Sequence, residues 1–194
     1  QSLMDKKVKL ILISNAYNFF NVFMLNHIFE LSKRYDLYIC CNNASKLKKK
    51  VPRNVSLINI NYKRGLSLFH DLFTFLITLF YILKIRPYLA ISFTPKVGLI
   101  VSIASLFTRT PKYFHWYTGQ IWANSKGFKK VFFKFTDKLI FFLSDQVLID
   151  SFSQKNYLIK EKVINHNKST VLLNGSVGGV DISKFRFNKN NRAN

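Results

Sequence analysis

Short apolar runs alternate with longer apolar segments along the chain. The runs at 8–13, 36–41, 55–60, 89–93, 112–117, 146–149 and 170–173 have strand length and carry β-branched or aromatic residues, which predicts seven strands. Val8 to Ile13 is apolar throughout, as in a strand buried on both faces of a parallel sheet. Helices are predicted between the strands, over 23–35, 67–85, 97–107, 126–143 and from Ser151 or Ser153 to about Val163, either serine serving as N-cap. Pro87 and Pro111 end two of these helices. Strands alternating with helices imply an α/β fold: a Rossmann-like parallel sheet of about seven strands flanked by helices.

Two helices raise the question of environment. The segment 67–85 is almost wholly apolar, and only threonines interrupt the run from Leu72 to Leu83. It is short of the roughly 20 apolar residues that span a bilayer, so a buried helix is preferred to a membrane-touching one. In the segment 126–143, Lys126, Lys130, Lys134 and Lys138 recur every four residues and form one stripe. Phe128, Phe132, Phe135, Leu139 and Phe142 form another, with Phe133 between them. This helix reads either as a membrane-surface element or as a solvated lysine face over a phenylalanine-rich core face.

Charge changes the picture. The chain has 194 residues, about one domain, and a net charge of +21 from 30 Lys and Arg against 9 acids. Such a balance calls for an anionic partner: nucleic acid, a phospholipid surface or a phosphorylated substrate. The two cysteines, Cys40 and Cys41, are adjacent on a predicted strand and point to opposite faces, so no mutual disulfide is expected. This suits a reducing cytosol. Residues 1–7 read as an appended remnant ahead of the folded region, and residues 188–194 as a polar tail.

Polar residues collect where the strands end. The loops are Ser14 to Asn18, Thr94 to Lys96, Thr118 to Trp122, Asp150 to Ser153 and Asn174 to Gly179. Ligands of open α/β sheets bind at that edge. The stretch Pro-Lys-Tyr-Phe-His-Trp-Tyr-Thr-Gly-Gln-Ile-Trp, 111–122, brings His115, Thr118, Gly119, Gln120 and Trp122 to it. There is no Walker phosphate loop, and the glycine-rich loop at Gly175 follows the last strand, where a dinucleotide fingerprint does not belong. Glu30 and Glu161 are the only glutamates, no metal spacing is present, and no Ser-His-Asp arrangement is legible from spacing.

The second half also carries a family resemblance. The ordered segments are Ser92-Phe93-Thr94-Pro95-Lys96, Tyr117-Thr118-Gly119-Gln120-Ile121-Trp122, Lys126-Gly127 and Asp137-Lys138-Leu139-Ile140. They continue with Asp150-Ser151-Phe152-Ser153-Gln154, Tyr157-Leu158-Ile159, the stretch 175–181 and Phe185. Together they resemble the N-terminal half of family 4 glycosyltransferases of bacterial capsule, O-antigen and exopolysaccharide synthesis. The resemblance covers about 8–187 and is strongest after residue 89.

It implies half of a GT-B fold. Residues 8–187 would be the acceptor-side domain of a retaining glycosyltransferase moving a hexosyl or hexosaminyl group. The partner substrate would be a polyprenyl-diphosphate-linked saccharide at an anionic membrane surface. The nucleotide-sugar would bind a C-terminal domain absent from this chain, so no cofactor is expected here and the chain alone would be inactive. The setting would be cytoplasmic, peripheral at the inner face of the bacterial membrane. Carried over residue by residue, Asn15, Tyr17, Asn18, Thr94, Lys96, Gly119, Gln120, Trp122, Ser151 and Ser153 would bind acceptor. Asn174, Gly175, Ser176 and Gly178 would form the inter-domain loop, and Lys126, Lys130, Phe133, Lys134 and Lys138 the membrane surface. Many members have a catalytic His-Gly where this chain has Thr118-Gly119, its histidine lying earlier at His115. Either His115 reaches the cleft beside Thr118 as the catalytic pair, or this subgroup manages without that histidine. The competing reading is a basic α/β nucleic-acid- or nucleotide-binding domain without catalysis. It is disfavoured for nucleic acid because the lysines lie beside phenylalanines and no recognition motif is present.

Overall fold

The computed structural model describes residues 7–63, 65 and 67–179. Residues 1–6, Asp181, Phe185 and the tail at 188–194 lie outside the described residues. The strands are β1 (Lys9–Ala16), β2 (Asp36–Asn42), β3 (Ser56–Asn59), β4 (Leu89–Ser92), β5 (Lys112–Tyr117), β6 (Gln146–Ile149) and β7 (Ser169–Val171). They form one sheet in the order β3-β2-β1-β4-β5-β6-β7, and every neighbouring pair is parallel.

A single helical turn, α1 (Tyr17–Phe19), leads through a π segment (Phe20–Met24) into α2 (Leu25–Arg34). The remaining helices are α3 (Leu68–Ile85), α4 (Pro95–Thr108), α5 (Gly127–Leu143) and α6 (Phe152–Lys160). Period-two alternation separates two cores. Leu10, Leu12, Leu37, Ile39 and Cys41 face α2, while Ile11, Ile13, Cys40, Ala90 and Tyr113 face α3 and α4. Both cysteines are buried and free, on opposite faces as their adjacency requires.

Helix ends follow local chemistry. Ser151 is the cap of α6, its hydroxyl accepting from Gln154 N at 3.1 Å. Pro95 opens α4, where its missing N–H costs no bond. The chain leaves α3 and α4 through Arg86 and Arg109, both left-handed.

The outer helices overturn the expected burial. In α3, the buried residues are Thr74, Thr78, Ile82 and Ile85. Thr78 Oγ1 donates to Thr74 O at 2.7 Å and lies 2.8 Å from the buried Tyr62 hydroxyl. The opposite face exposes Phe69 (91%), Leu72, Phe73 (61%), Leu76, Phe80 (57%) and Leu83. In α5 the buried residues are Thr136, Asp137 and Ile140, while Phe128, Val131, Phe135 and Phe142 face outward. Both helices therefore turn hydroxyl or carboxyl groups inward and phenyl rings outward, the reverse of a helix solvated on its outer face. The physical reason is that Tyr62, Tyr117 and Trp122 supply polar partners inside.

Candidate functional site

Parallel pairing brings the C-terminal ends of β1, β4, β5 and β6 side by side. At β1–β4 the sheet order reverses, and α2 and α4 leave toward opposite faces, the topological point at which open α/β sheets bind ligands. Asn15 and Thr94 stand on either side of it, half-buried. Next along the edge come Thr118, Gly119 and Gln120, then Ser151 and Ser153, whose hydroxyls lie 3.0 Å apart. Gly119 has φ +155°, a conformation that suits glycine rather than an L side chain, and a Cβ there would meet nothing within 4 Å, so the turn is uncrowded.

Hydrogen bonds tie β5 to β6 at this edge. Gln154 Nε2 donates to Gln120 Oε1 at 3.3 Å, and Gln154 Oε1 accepts from Asp150 N at 3.1 Å. Trp116 Nε1 donates to Asp150 Oδ1 at 2.8 Å. Burial raises the Asp150 carboxyl above its ordinary range, against the lowering effect of that indole bond. Asp150, Gln154 and Trp116 were legible only as motif or strand positions. The pairing that makes them a unit spans 34 residues for Trp116–Asp150.

The glycine-rich loop is seated against this cluster. Gly175 has φ +91°, and a Cβ there would stand 2.2 Å from Asp150 O. Ser176 N donates to Asp150 O at 2.6 Å. Further on, Val177 O lies 2.6 Å from His27 Nε2, and Gly178 packs on the backbone of Phe23. Asn174, Gly175, Ser176 and Gly178 thus lie along the edge, between β6 and the helix that follows β1.

Four expected site residues are elsewhere or otherwise engaged: His115, Trp122, Phe133 and Lys134. His115 does not reach the edge: it is buried (1% exposed), its Nδ1 2.8 Å from Ser92 Oγ and its ring beneath Gly98 of α4. Burial lowers its pKa to about 3, so the ring is neutral. The reason is strand alternation, since His115 shares the inner face with Tyr113 and Tyr117. Trp122 offers no open surface. It is fully buried, stacked on Tyr157 at 5.5 Å, and donates to Asp137 Oδ2 at 2.7 Å. Burial raises Asp137 to about 7, partly opposed by that bond.

Phe133 is half-buried and packs inward with Tyr117 and Trp122 rather than projecting outward. Within the lysine stripe, Lys126 and Lys138 are exposed and Lys130 is half-exposed. Lys134 instead pairs with Glu161 at 2.6 Å and lies over the Trp122 ring at 5.5 Å. Tyr17 is covered by Lys46, whose Nζ is 5.1 Å from the ring centroid, while Asn18 is exposed. Lys96 pairs with Asp71 and donates to Gly65 O at 2.6 Å.

No protein-family model matches the chain. In sequence it is 30% identical over 162 residues to the capsular polysaccharide biosynthesis glycosyltransferase CapM of Staphylococcus aureus. The match covers 84% of this chain and 42% of that protein, so the chain spans less than half the relative's length. Its fold is similar to the UDP-GlcNAc 2-epimerase of Methanocaldococcus jannaschii (TM-score 0.62, 15% identity, covering 86% of this chain and 46% of that one). It is also similar to MurG of Acinetobacter baumannii (TM-score 0.56, 14% identity, 87% and 45%). A third similar structure is the lipopolysaccharide outer core galactosyltransferase WaaB (TM-score 0.57, 18% identity, 84% and 45%). The chain is therefore a Rossmann-like α/β unit with the fold of one half of GT-B glycosyltransferases and epimerases, and it is homologous to a capsular polysaccharide glycosyltransferase.

Proposed function

We propose that this chain is the acceptor-side half of a family 4, retaining glycosyltransferase of surface polysaccharide synthesis, which receives a lipid-linked saccharide at the β1–β4–β5–β6 edge. The observation that carries this reading is the 30% identity to CapM across 84% of the chain. The edge supports it chemically. Gln120, Ser151 and Ser153 offer the amide and hydroxyl groups that recognise sugar hydroxyls, and Asp150 adds a carboxyl beside them. Thr118 and Gly119 border the uncrowded turn where the reacting sugar would lie. His115 is left with a positioning role, because it touches Ser92 and α4 rather than the edge.

The nucleotide-sugar would be held by a second domain facing this edge, with the loop 174–179 leading toward it. Transfer requires donor and acceptor aligned across the two. The protein would work at the inner face of a bacterial membrane, as a peripheral cytoplasmic enzyme. The outward phenyl rings of α3 and α5, with Lys126, Lys130 and Lys138 beside them, suit an anionic bilayer surface.

Binding tests the reading. The chain should bind a polyprenyl-diphosphate-linked saccharide and bind UDP-sugars far more weakly, with no turnover. UDP-sugar binding as tight as acceptor binding, or measurable transfer by the chain alone, would overturn it. A second reading, nucleic-acid binding, draws on one observation: a groove of about 1040 Å³ beside β3, lined by Lys48, Lys49 and Arg53. Binding to anionic vesicles without comparable affinity for single- or double-stranded nucleic acid at equal salt decides between them.

A further inference from the structure

β3 ends the sheet on one side, and among the described residues no strand pairs with its outer edge. Ile60 N donates to Cys41 O of the neighbouring β2 at 3.2 Å, and amide directions alternate along a strand. The N–H and C=O groups of Leu57 and Asn59 therefore point away from β2, to the free side. Sheet edges are commonly blunted by short length, by lysine or proline on the strand, or by a bulge. β3 is short, but Ser56, Leu57, Ile58 and Asn59 include no lysine or proline, and their register with β2 is unbroken.

A groove of about 1040 Å³ runs along this edge. Val51, Val55 and Leu57 give it an apolar base and belong to the core beneath α2. Its other side is the crossover from β2 to β3, which starts with the 3-10 turn Ala44–Leu47. Asn59 Oδ1 accepts from Ala44 N at 3.3 Å and ties that crossover to the end of β3. Lys48, Lys49 and Arg53 line the groove, are exposed, and make no ion pair among the described residues. Among the described lining residues there is no carboxylate and no aromatic ring.

These features select one kind of occupant. Outward N–H and C=O groups pair with another extended backbone. Cations without a carboxylate beside them call for acidic side chains on that backbone. Glutamates at every second position would all face the groove, with their methylenes over Val55 and Leu57 and their carboxylates at Lys48, Lys49 and Arg53. A second copy of this chain would bring the same cations to the same edge. Single-stranded nucleic acid would meet the cations, but it finds no ring in the groove to stack on and leaves the strand amides unpaired.

We propose that the free edge of β3 and its groove bind an acidic, extended peptide segment of a partner protein, which adds a further strand to the sheet. β2 separates this surface from the β1–β4–β5–β6 edge. The proposal therefore concerns assembly rather than sugar transfer, and it stands whether or not the proposed function does.

The probe is the peptide acetyl-Thr-Glu-Thr-Glu-Thr-Glu-Thr-amide, titrated into the chain by calorimetry and followed by amide hydrogen exchange. It should bind about tenfold or more tightly than the same peptide with glutamine in place of glutamate. Exchange at Leu57 and Asn59 should slow by about tenfold or more in the bound state. Lys48→Glu with Lys49→Glu should weaken binding by about tenfold or more. Lys129→Glu with Lys160→Glu, the same charge change on α5 and α6, should leave it unchanged. All these lysines are exposed, and thermal melts confirm that both variants fold. A peptide that does not bind, or that binds equally well with glutamine, overturns the proposal. Equal weakening by the two double variants, or unchanged exchange at Leu57 and Asn59, overturns strand addition at this groove. Single-stranded oligothymidylate that binds as tightly at equal salt and slows the same two amides assigns the groove to nucleic acid and overturns the peptide. A dimer in sedimentation, with those amides protected before any peptide is added, assigns the edge to a second copy and overturns it as well.

Discussion

Gly98 crosses the ring of His115 so closely that a Cβ on it would stand 2.6 Å from Cε1 and 2.8 Å from Nδ1. Gly98 thus sits directly against β5, where the Tyr113 hydroxyl donates to Gly98 O at 3.0 Å. Gly98→Ala must push the ring or the helix aside. The expected loss is about 1–3 kcal/mol of stability, read from urea unfolding at pH 7.5. A variant as stable as the parent would show that the two elements are not locked together.

His115 and Asp137 make opposite contributions to the pH dependence of stability. Burial depresses His115 from 6.5 to about 3, so the unfolded chain takes up a proton that the folded one refuses. Its contribution is complete above pH 6.5 and is lost as pH falls toward 3. Burial raises Asp137 from 3.8 to about 7, so the folded chain keeps a proton that the unfolded one releases. Its contribution is complete below pH 3.8 and is lost as pH rises through 7. Between about pH 4 and 6.5 the two oppose each other. Asp137→Asn should therefore steepen the rise of stability with pH in that window, and His115→Gln should flatten or invert it. Melting temperatures across pH 4–8 check both, and parallel curves for the two variants would contradict the assignment.

Gly175 is confined by the carbonyl of Asp150, 2.2 Å from where a Cβ would sit, and by a left-handed φ of +91°. Gly175→Ala should lift the loop 174–179 off the end of β6 while leaving the sheet intact. Hydrogen exchange should speed up at Ser176, whose N–H donates to Asp150 O. The strand amides of β1, β4 and β5 should stay protected. Unchanged exchange at Ser176 would remove the case for a fixed loop.

Phe73 and Phe80 are exposed on the outer face of α3. Phe73→Glu with Phe80→Glu should leave folding stability within about 1 kcal/mol, as expected for exposed sites away from special features. Sedimentation with anionic vesicles should drop sharply. Lys126, Lys130 and Lys138 changed together to Gln should weaken vesicle binding mainly at low salt. Lys134 is left out because it pairs with Glu161. Full vesicle binding by the double glutamate variant would show that this face does not meet lipid.

The sequence by itself determined the seven parallel strands, their alternation with helices and the edge where polar loops gather. These are local or periodic properties, written in runs of apolar residues and in turn formers. It also determined the opposed faces of Cys40 and Cys41 and narrowed the cap of α6 to Ser151 or Ser153, which depend on neighbours one to three residues away; the structure chose Ser151. Only the tertiary structure decided which way the helices face. Thr74 and Thr78 turn inward because Tyr62 waits there, 16 residues before Thr78, and Asp137 turns inward because Trp122 does. In α3 apolar residues lie on all sides, so periodicity had no single stripe to choose, and in α5 the stripe of Phe128, Phe132, Phe135 and Phe142 was legible but its outward direction was not. The same holds at the site. His115 and Thr118 lie three residues apart, yet the pleat sends the ring under Gly98 while the turn carries Thr118 to the edge. Asp150 joins Trp116 and Gly175 across 34 and 25 residues, and contacts at that separation exist only once the sheet has closed.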